Sequence, residues 1–589
     1  MIFYEKIGLA RIVFLRLTNR PAFYWRRGLI LYLFERLLPK FFAGIKKQCK
    51  KLDYGYVESA NKVKKNAHEN GQKFLNEKLP VRFLQKAGAA NLFQIDFTNI
   101  FKIFIFSEVI YPKYEFFELA MRYASEHPNE KHVFCAEIEY LDGYDAQLQK
   151  FGRVLDSGGF NKIIFIFSIL LSPILLRWHR LAKGQNKSIE YENNIICNST
   201  KSSVFNVFRE LFGEYKNARY TVSRPYSLRF PQKELNDAGI GYLGLSRSGY
   251  DFLKKYVWRY VYLCLGCAGE LAMYGSNMLR LFNDIVVGRA EAPHGKGNAF
   301  ITYEHFYASR AIRNEFIKLE GSKSVFLPQT QYISPKYYFT EFGYNYDIVC
   351  SSGKHLEDSY VVNKGSARNF LPTGGYAMHR GTIQSENYEE RVAKLRAFNG
   401  TSTTVTILSC GLVDMSRNIE RKLMLLAKKL SHQPNVKVFV RLKSRHAMPY
   451  FDKFYTPLIG NEPSIMATSN EYELWDFLPV TDLFITDISG SGCDMAMRGG
   501  QVMYVDFLNA PDFFLFWEKF AGVRVSEDIA LTEAMTWIRD GVNGPARVRR
   551  QEAMRQLKKY MAHSYASFED YKKNLTDGLG RLCPCFHKD

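Results

Sequence analysis

A chain of 589 residues is too long for a single hydrophobic core, so two or three domains are expected. Hydrophobic residues at 47% and aromatic residues at 15% exclude general disorder, and ten cysteines without regular spacing argue for reduced thiols in a cytosolic setting, not a disulfide framework. The net charge of +21 invites an acidic partner, either a membrane surface or nucleic acid.

The charge is concentrated at the start. Residues 1–51 hold twelve Lys/Arg against Glu5 and Glu35, interleaved with Ile, Leu, Phe, Tyr and Trp. No cleavage pattern follows a single apolar core, so export is not expected. The pattern fits a pair of interfacial helices that bury an apolar face in lipid and set Arg and Lys against anionic head groups; a plain packed or solvated helix is the alternative. Bulky aliphatics among the charges, and the lack of a recognised nucleic-acid motif, argue against nucleic acid.

After this arm, Tyr54–Gln85 is polar and reads as an exposed helix or extension. Apolar runs at Ile100–Phe106, Val133–Ile138 and Asn194–Cys197 read as strands, with helices at Tyr114–Ala124 and Val204–Phe212. Such alternation predicts a parallel, doubly wound sheet. It is interrupted by Ile163–Leu176, nearly all apolar, flanked by Lys162, Arg177, Arg180 and Lys183 and containing Pro173. This run is too short to span a bilayer, which leaves a re-entrant or surface-lying hairpin, or a buried core helix.

Tyr250–Ile285 is a long amphipathic helical region. Beyond it the βα rhythm sharpens, with strands at Phe300–Glu304, Ser324–Pro328, Tyr346–Cys350 and Asn369–Leu371, and a helix at Ala308–Glu320. Pro372-Thr373-Gly374-Gly375 suits a linker. A second α/β unit follows, with strands Val405–Ser409 and Val436–Leu442 around a helix at Ile419–Leu430, and Lys-rich helices close the chain at Arg547–Met561 and Phe568–Leu579. The resulting division is a basic arm over 1–95, a first Rossmann-like domain over 96–375 with an apolar insertion at 160–183, a second over 376–560, and a helix and tail over 561–589.

Within the second unit, a short helix at Leu474–Leu478 leads into strand Asp482–Thr486, the turn Asp487-Ile488-Ser489-Gly490-Ser491-Gly492, a helix over Cys493–Met497 and strand Gln501–Val505. A strand, a small-residue turn and a helix start together form a phosphate cradle, because unpaired backbone N–H groups and the positive helix end face the turn. The plain alternative is an ordinary strand-to-helix turn. The terminal Cys583-Pro584-Cys585-Phe586-His587 cluster is a weak zinc pattern, and no metal is expected.

Two α/β domains in tandem with a late phosphate-cradling turn resemble the GT-B glycosyltransferase superfamily. The second domain is most similar to CDP-glycerol glycerophosphotransferase-like proteins of surface-polymer synthesis. Their pattern, a strand, Thr-Asp-Tyr-Ser-Ser, a helix and a strand ending Tyr-x-Asp, stands here as Ile485-Thr486-Asp487-Ile488-Ser489-Gly490-Ser491 and Val502-Met503-Tyr504-Val505-Asp506. Their Lys-Pro-His-Pro is matched by Lys443-Ser444-Arg445-His446, which keeps the histidine and lacks the prolines. In the first domain, Glu304 and Arg310–Gly321 fit the pattern of surface-polysaccharide relatives, but the Gln-His-Gly that follows there is replaced by Gln329-Thr330-Gln331-Tyr332. The resemblance covers about residues 296–540.

The resemblance implies α/β architecture: two Rossmann-like domains of GT-B type facing across a cleft, here joined to a basic helical membrane-associating region. It also implies transfer without a metal or resident cofactor, the nucleotide-activated donor being a substrate. Ser489, Gly490, Ser491 and Gly492, with Arg441, Lys443, Arg445 and His446, would meet the donor phosphates. Asp494 is read as a ribose ligand or as a compensator of the helix dipole, and Asp487 as a helix cap in preference to a catalytic group. Glu304, His305 and His446 are the candidate bases for an acceptor hydroxyl. The implied activity is transfer of a sugar or polyol-phosphate to a surface polysaccharide or lipid-linked acceptor, by a peripheral or monotopic protein at the cytoplasmic face of an anionic membrane. A sugar-nucleotide epimerase and an inactive GT-B assembly subunit are the alternatives.

Overall fold

The computed structural model describes residues 2–3, 77–110, 132–136, 149–150, 152–156, 158–181, 192–199, 202–223, 239–275, 277–303, 308–328, 345–362, 367–380, 387–408, 417–441, 456–468, 471–487, 489–507, 517–540, 544–565 and 567–587. A small sheet joins β1 (Ile2–Phe3), β2 (His132–Ala136) and β3 (Gly152–Asp156), with β1 antiparallel and β3 parallel to β2. The two larger sheets carry the architecture.

The first large sheet is built from β4 (Ile195–Asn198), β5 (Ala218–Ser223), β6 (Ile240–Leu243), β7 (Ala299–Thr302), β8 (Lys323–Phe326), β9 (Ile348–Ser351) and β10 (Asn369–Pro372). Its order is β10-β9-β8-β7-β4-β5-β6, and every pairing is parallel. The second comprises β11 (Thr403–Leu408), β12 (Val436–Arg441), β13 (Ile465–Thr468), β14 (Leu483–Thr486), β15 (Val502–Asp506) and β16 (Arg524–Ser526), parallel in the order β13-β12-β11-β14-β15-β16. Strands β4, β7, β9, β14 and β15 are buried at every position, as central strands covered on both faces by helices must be. In each sheet the chain steps outward on one side and then restarts beside its first strand, so the order reverses between β4 and β7 and between β11 and β14. A crevice opens at such a reversal, outside the carboxyl ends of the strands.

The two sheets also share a device at their amino edges. Asp347, just before β9, accepts the Ser324 N–H and hydroxyl, each at 2.9 Å, and Asp482, just before β14, accepts the Thr404 N–H at 2.8 Å. Each carboxylate ties the start of its neighbouring strand and fixes register. Edge strands β6, β13 and β16, and β5 between β4 and β6, complete the sheets and were not expected from the sequence.

A helical layer packs on one face of the first sheet. It contains α1 (Val81–Ala89), α2 (Phe97–Phe104), α3 (Gly158–Leu170), α4 (Ser172–Leu181), α5 (Arg247–Gly266), α6 (Asn277–Glu291) and α7 (Ala308–Leu319). Helix α2 corrects the expected strand at Ile100–Phe106. Asp96 caps it by accepting the Asn99 N–H at 3.0 Å, and Phe97, Ile100, Phe101 and Phe104 fall at helical spacing into the core. The alternating look of the run FKIFIF yields to that cap and packing. Helix α1 lies where the exposed arm was expected, but Phe83, Leu84 and Ala87 are buried and Phe83 meets Phe97 edge-on at 5.8 Å. The apolar insertion is the pair α3 and α4, with Pro173 in the first turn of α4, where its missing N–H costs nothing. The long region after Tyr250 is divided into α5 and α6 by a short helix and a 3₁₀ turn over Ala268–Tyr274.

The second sheet carries α8 (Gly490–Met497) between β14 and β15, and the chain closes with α9 (Pro545–Met561) and α10 (Phe568–Leu582). Helix α10 does not form a free tail. Phe568, Tyr571, Leu575 and Leu579 enter the core of the first sheet, together with Cys583, Cys585 and Phe586. The return path from α9 to α10 crosses the carboxyl ends of β9 and β10, where His563 N–H donates to Ser352 O at 2.8 Å and Tyr565 N–H donates to His379 Nε2 at 3.0 Å. A Cβ on Gly353 would stand 2.2 Å from Met561 O and 2.7 Å from Ala562 N, both backbone atoms. Gly353→Ala should therefore lose about 3 kcal/mol or more, read as a lowered denaturation midpoint. A neutral result would mean the crossing can shift freely.

Candidate functional site

The cradle expected after β14 is present as the first turn of a helix. Helix α8 begins at Gly490, earlier than the expected Cys493, and its cap is Ser489, whose Oγ accepts the Ser491 N–H at 3.2 Å. Asp487 is therefore not the cap. It lies buried two residues before Ser489, at the carboxyl end of β14. Ser outcompetes Asp here because its short hydroxyl is the group at the residue that turns from extended to helical backbone.

Not all four cradle residues present donors. Gly492 N–H donates to Ser489 O at 3.1 Å, and a Cβ at Gly492 would lie 2.7 Å from Thr486 Cγ2 and 2.8 Å from the Tyr504 hydroxyl. Gly492 thus lets the helix press onto β14 and β15, and its expected role as a phosphate donor is corrected to a packing role. Gly492→Ala should lower the melting temperature by pushing α8 off the sheet, and a ligand-binding defect without any loss of stability would refute this assignment. What remains for an anion is the Gly490 N–H, without a partner among the described residues, and the hydroxyls of Ser489 and Ser491. Gly490 and Ser491 are part-exposed, whereas Ser489 is buried.

Asp494 sits one turn into α8 and is 5% exposed. Its Oδ1 has no hydrogen-bond partner among the described residues, and burial pushes the carboxyl up to about 8. Tyr303, which follows β7 at the order reversal of the first sheet, feels this carboxyl, and its phenol is held above its ordinary range chiefly by burial and then by Asp494. A buried carboxyl oxygen without a partner is rare in a purely structural position, since satisfaction is the rule for buried polar atoms.

Arg441 ends β12 at the same carboxyl edge, separated from β14 by β11. Burial lowers its pKa, Asp476 and Glu473 oppose that, and its Nε has no partner among the described residues. Asp476 is itself held by Arg391 through bonds of 2.6 and 3.0 Å. Lys443, Arg445 and His446 lie outside the described residues, as do Glu304, His305, Gln329 and Gln331. The structure thus brings Ser489, Gly490, Ser491, Asp494 and Arg441 to one edge. Tyr303 joins them, unforeseen because a tyrosine after an apolar strand carries no signal of its own.

One other constellation resembles a catalytic set. Ser246 Oγ bonds His294 Nε2, and Glu320 Oε1 stands 3.5 Å from His294 Nδ1. Arg289 Nη2 also stands 3.0 Å from that Nδ1 and can only donate, which leaves the ring proton on Nε2. That proton goes to Ser246 Oγ, which also accepts the Gly249 N–H at 2.9 Å as the cap of α5. A hydroxyl that receives the imidazole proton is not being activated by it, so the cluster is a cap and an anchor. Cys583 and Cys585 lie in the apolar core, where burial pushes their thiols up to about 12 and about 11. Among the described residues no three His, Cys, Asp or Glu side chains gather as a metal would require.

No family model matches the chain, and no curated protein matches it. Similar solved structures include the wall teichoic acid polymerase TagF, at 12% identity over 72% of this chain and 98% of that one, with a TM-score of 0.40. A UDP-N-acetylglucosamine 2-epimerase is similar at 11% identity, covering 68% and 98%, with a TM-score of 0.40. A trehalose 6-phosphate synthase from Burkholderia multivorans is similar at 12% identity, covering 66% and 98%, with a TM-score of 0.39. The chain itself has two parallel α/β sheets in tandem, which is the architecture the GT-B resemblance implies.

Proposed function

We propose that this protein transfers a sugar or polyol-phosphate from a nucleotide-activated donor to a surface polysaccharide or lipid-linked acceptor at the cytoplasmic face of an anionic membrane. The observation that carries the reading is the α8 start, where a part-exposed helix turn with a spare N–H and two hydroxyls lies beside Asp494, whose Oδ1 has no partner among the described residues, at an order reversal. In the reaction the acceptor oxygen bonds to the transferred carbon or phosphorus, and the bond from that atom to the nucleotide phosphate breaks. The electron pair leaves on phosphate oxygen, where the helix start and Arg441, with Lys443 and Arg445, offset the growing charge. The acceptor proton passes to a base, for which Glu304, His305 and His446 are the candidates. Asp494, held protonated by burial, donates to or accepts from a ribose hydroxyl.

The test is a thermal-shift panel of CDP-, UDP-, GDP- and dTDP-linked compounds and CMP-linked sugars on wild type, Ser491→Ala and Arg445→Ala. One nucleotide family should raise the wild-type melting temperature by mass action and shift the variants less. Absence of any shift in the folded wild-type protein would overturn the reading in favour of an inactive assembly subunit.

A further inference from the structure

The helical layer exposes apolar side chains on a scale its neighbours do not. On α3 and α4 the outward positions are Ile163, Ile166, Phe167, Leu170 and Ile174, spaced as one helical stripe, with Phe167 65% exposed. The opposite side of the same pair is buried through Phe165, Ile169, Leu175 and Leu176. Helix α5 packs against both α3 and α4 and repeats the arrangement. Its inner residues enter the same core, while Trp258 and Tyr262, 64% and 77% exposed, stand one turn apart on its outer side. Scattered exposed hydrophobics need no explanation, but adjacent stripes on packed helices form a patch that does.

Charge says what covers it. Between Asp156 and Glu190 the chain has five basic residues, Lys162, Arg177, Arg180, Lys183 and Lys187, and no acidic one. Helix α5 adds exposed Lys254, Lys255 and Arg259 beside Trp258. An apolar stripe with amphipathic aromatics and a basic border matches an anionic bilayer surface, where apolar groups enter the acyl boundary and cations remain at the head groups. A second copy of the same face would bring like charges together. No helix among the described residues is long and apolar enough to cross a membrane, so the mode of contact is lying on the surface.

We propose that the outer face of α3, α4 and α5 seats this protein on anionic lipid. The inference rests on the reading that the acceptor is presented at a membrane, and it locates a contact separate from residues 1–51. The face belongs to the first domain, so a chain seated on it holds the first sheet near the lipid surface.

Flotation of the full chain with vesicles of phosphatidylcholine alone, and of phosphatidylcholine mixed with phosphatidylglycerol, tests this. The wild type should float with the mixed vesicles and release as salt is raised. Ile166→Ser with Phe167→Ser, and separately Trp258→Ser with Tyr262→Ser, should each reduce partition by roughly 100-fold. Lys254→Glu with Lys255→Glu should reduce it by roughly 10-fold or more. All three should keep the wild-type melting temperature, because the positions are exposed. If the variants float like the wild type, the face is not the contact, although membrane attachment itself stands. If the wild type binds neither vesicle, both readings fall. If the apolar variants convert an oligomer into a monomer without changing flotation, the face joins copies of this chain and the proposal is overturned.

Discussion

Asp494→Asn should stabilise the protein at pH 8, leave it little changed near pH 4, and weaken nucleotide binding. The carboxyl is pushed up to about 8 in the folded chain by burial, whereas the unfolded chain has an ordinary carboxylate. Below about pH 4 both states hold the proton, and the group adds no pH dependence. As pH rises from there, the unfolded state releases its proton while the folded state keeps it. The unfolded state then binds fewer protons, so stability falls by about 1.4 kcal/mol for each pH unit until the folded group titrates, and it is level above that. Asparagine keeps the shape and cannot ionise, so the variant's stability should be flatter over this window in denaturant titrations at a series of pH values. If Asp494 bonds a ribose hydroxyl, exchanging carboxyl for amide should also weaken the stabilising nucleotide about tenfold. A variant less stable than wild type at pH 8 would mean that the carboxylate is ionised and held by a cation, and the assignment would fail.

Glu291→Gln should cost about 3–5 kcal/mol, a large loss for one atom exchanged. Arg310 Nη1 donates to Glu291 Oε2 at 2.5 Å, and Arg313 Nη1 stands 4.0 Å from the same oxygen, with all three side chains buried. Burial, and then the neighbouring Arg310, already holds Arg313 down to about 10, and its guanidinium stacks on the Phe300 ring at 4.7 Å. Removing this carboxylate takes away the acid that both buried guanidinium groups share among the described residues. The loss should appear in the urea midpoint with an unchanged slope. Combining Glu291→Leu with Arg310→Met should recover much of it, because the desolvation cost leaves with the charges. A single variant as stable as wild type would show that water reaches the site.

The central parallel strands were legible because they are continuous apolar runs bounded by turns, as at Leu483–Thr486 and Val502–Asp506. The edge strands were not, since neither RVS nor IMAT is a continuous run of bulky apolar residues. The run after Asp96 misled because FKIFIF alternates like a strand, while its cap and its packing against α1 lie outside the run. The turn between β14 and α8 was legible in kind, as a small-residue strand-to-helix turn. Which serine caps it, which glycine is pressed against Tyr504, and which carboxyl oxygen is left without a partner depend on the third dimension. The expected bases lie outside the described residues.

The return of α10 to the first sheet sets an order of events during synthesis. The first sheet's core takes in Phe568, Tyr571, Leu575 and Leu579, which follow the whole second domain in the chain. The strands from Ile195 to Pro372 therefore leave the ribosome with one face covered only in part, by the helix Ser202–Phe212, and the rest of that face stays open through translation of the whole second domain. A chain released early, or cleaved before residue 568, lacks its own lid on the first sheet. Such a fragment exposes a surface for chaperones and proteases to recognise, so loss of α10 should deplete the protein in the cell more than its distance from the cradle suggests.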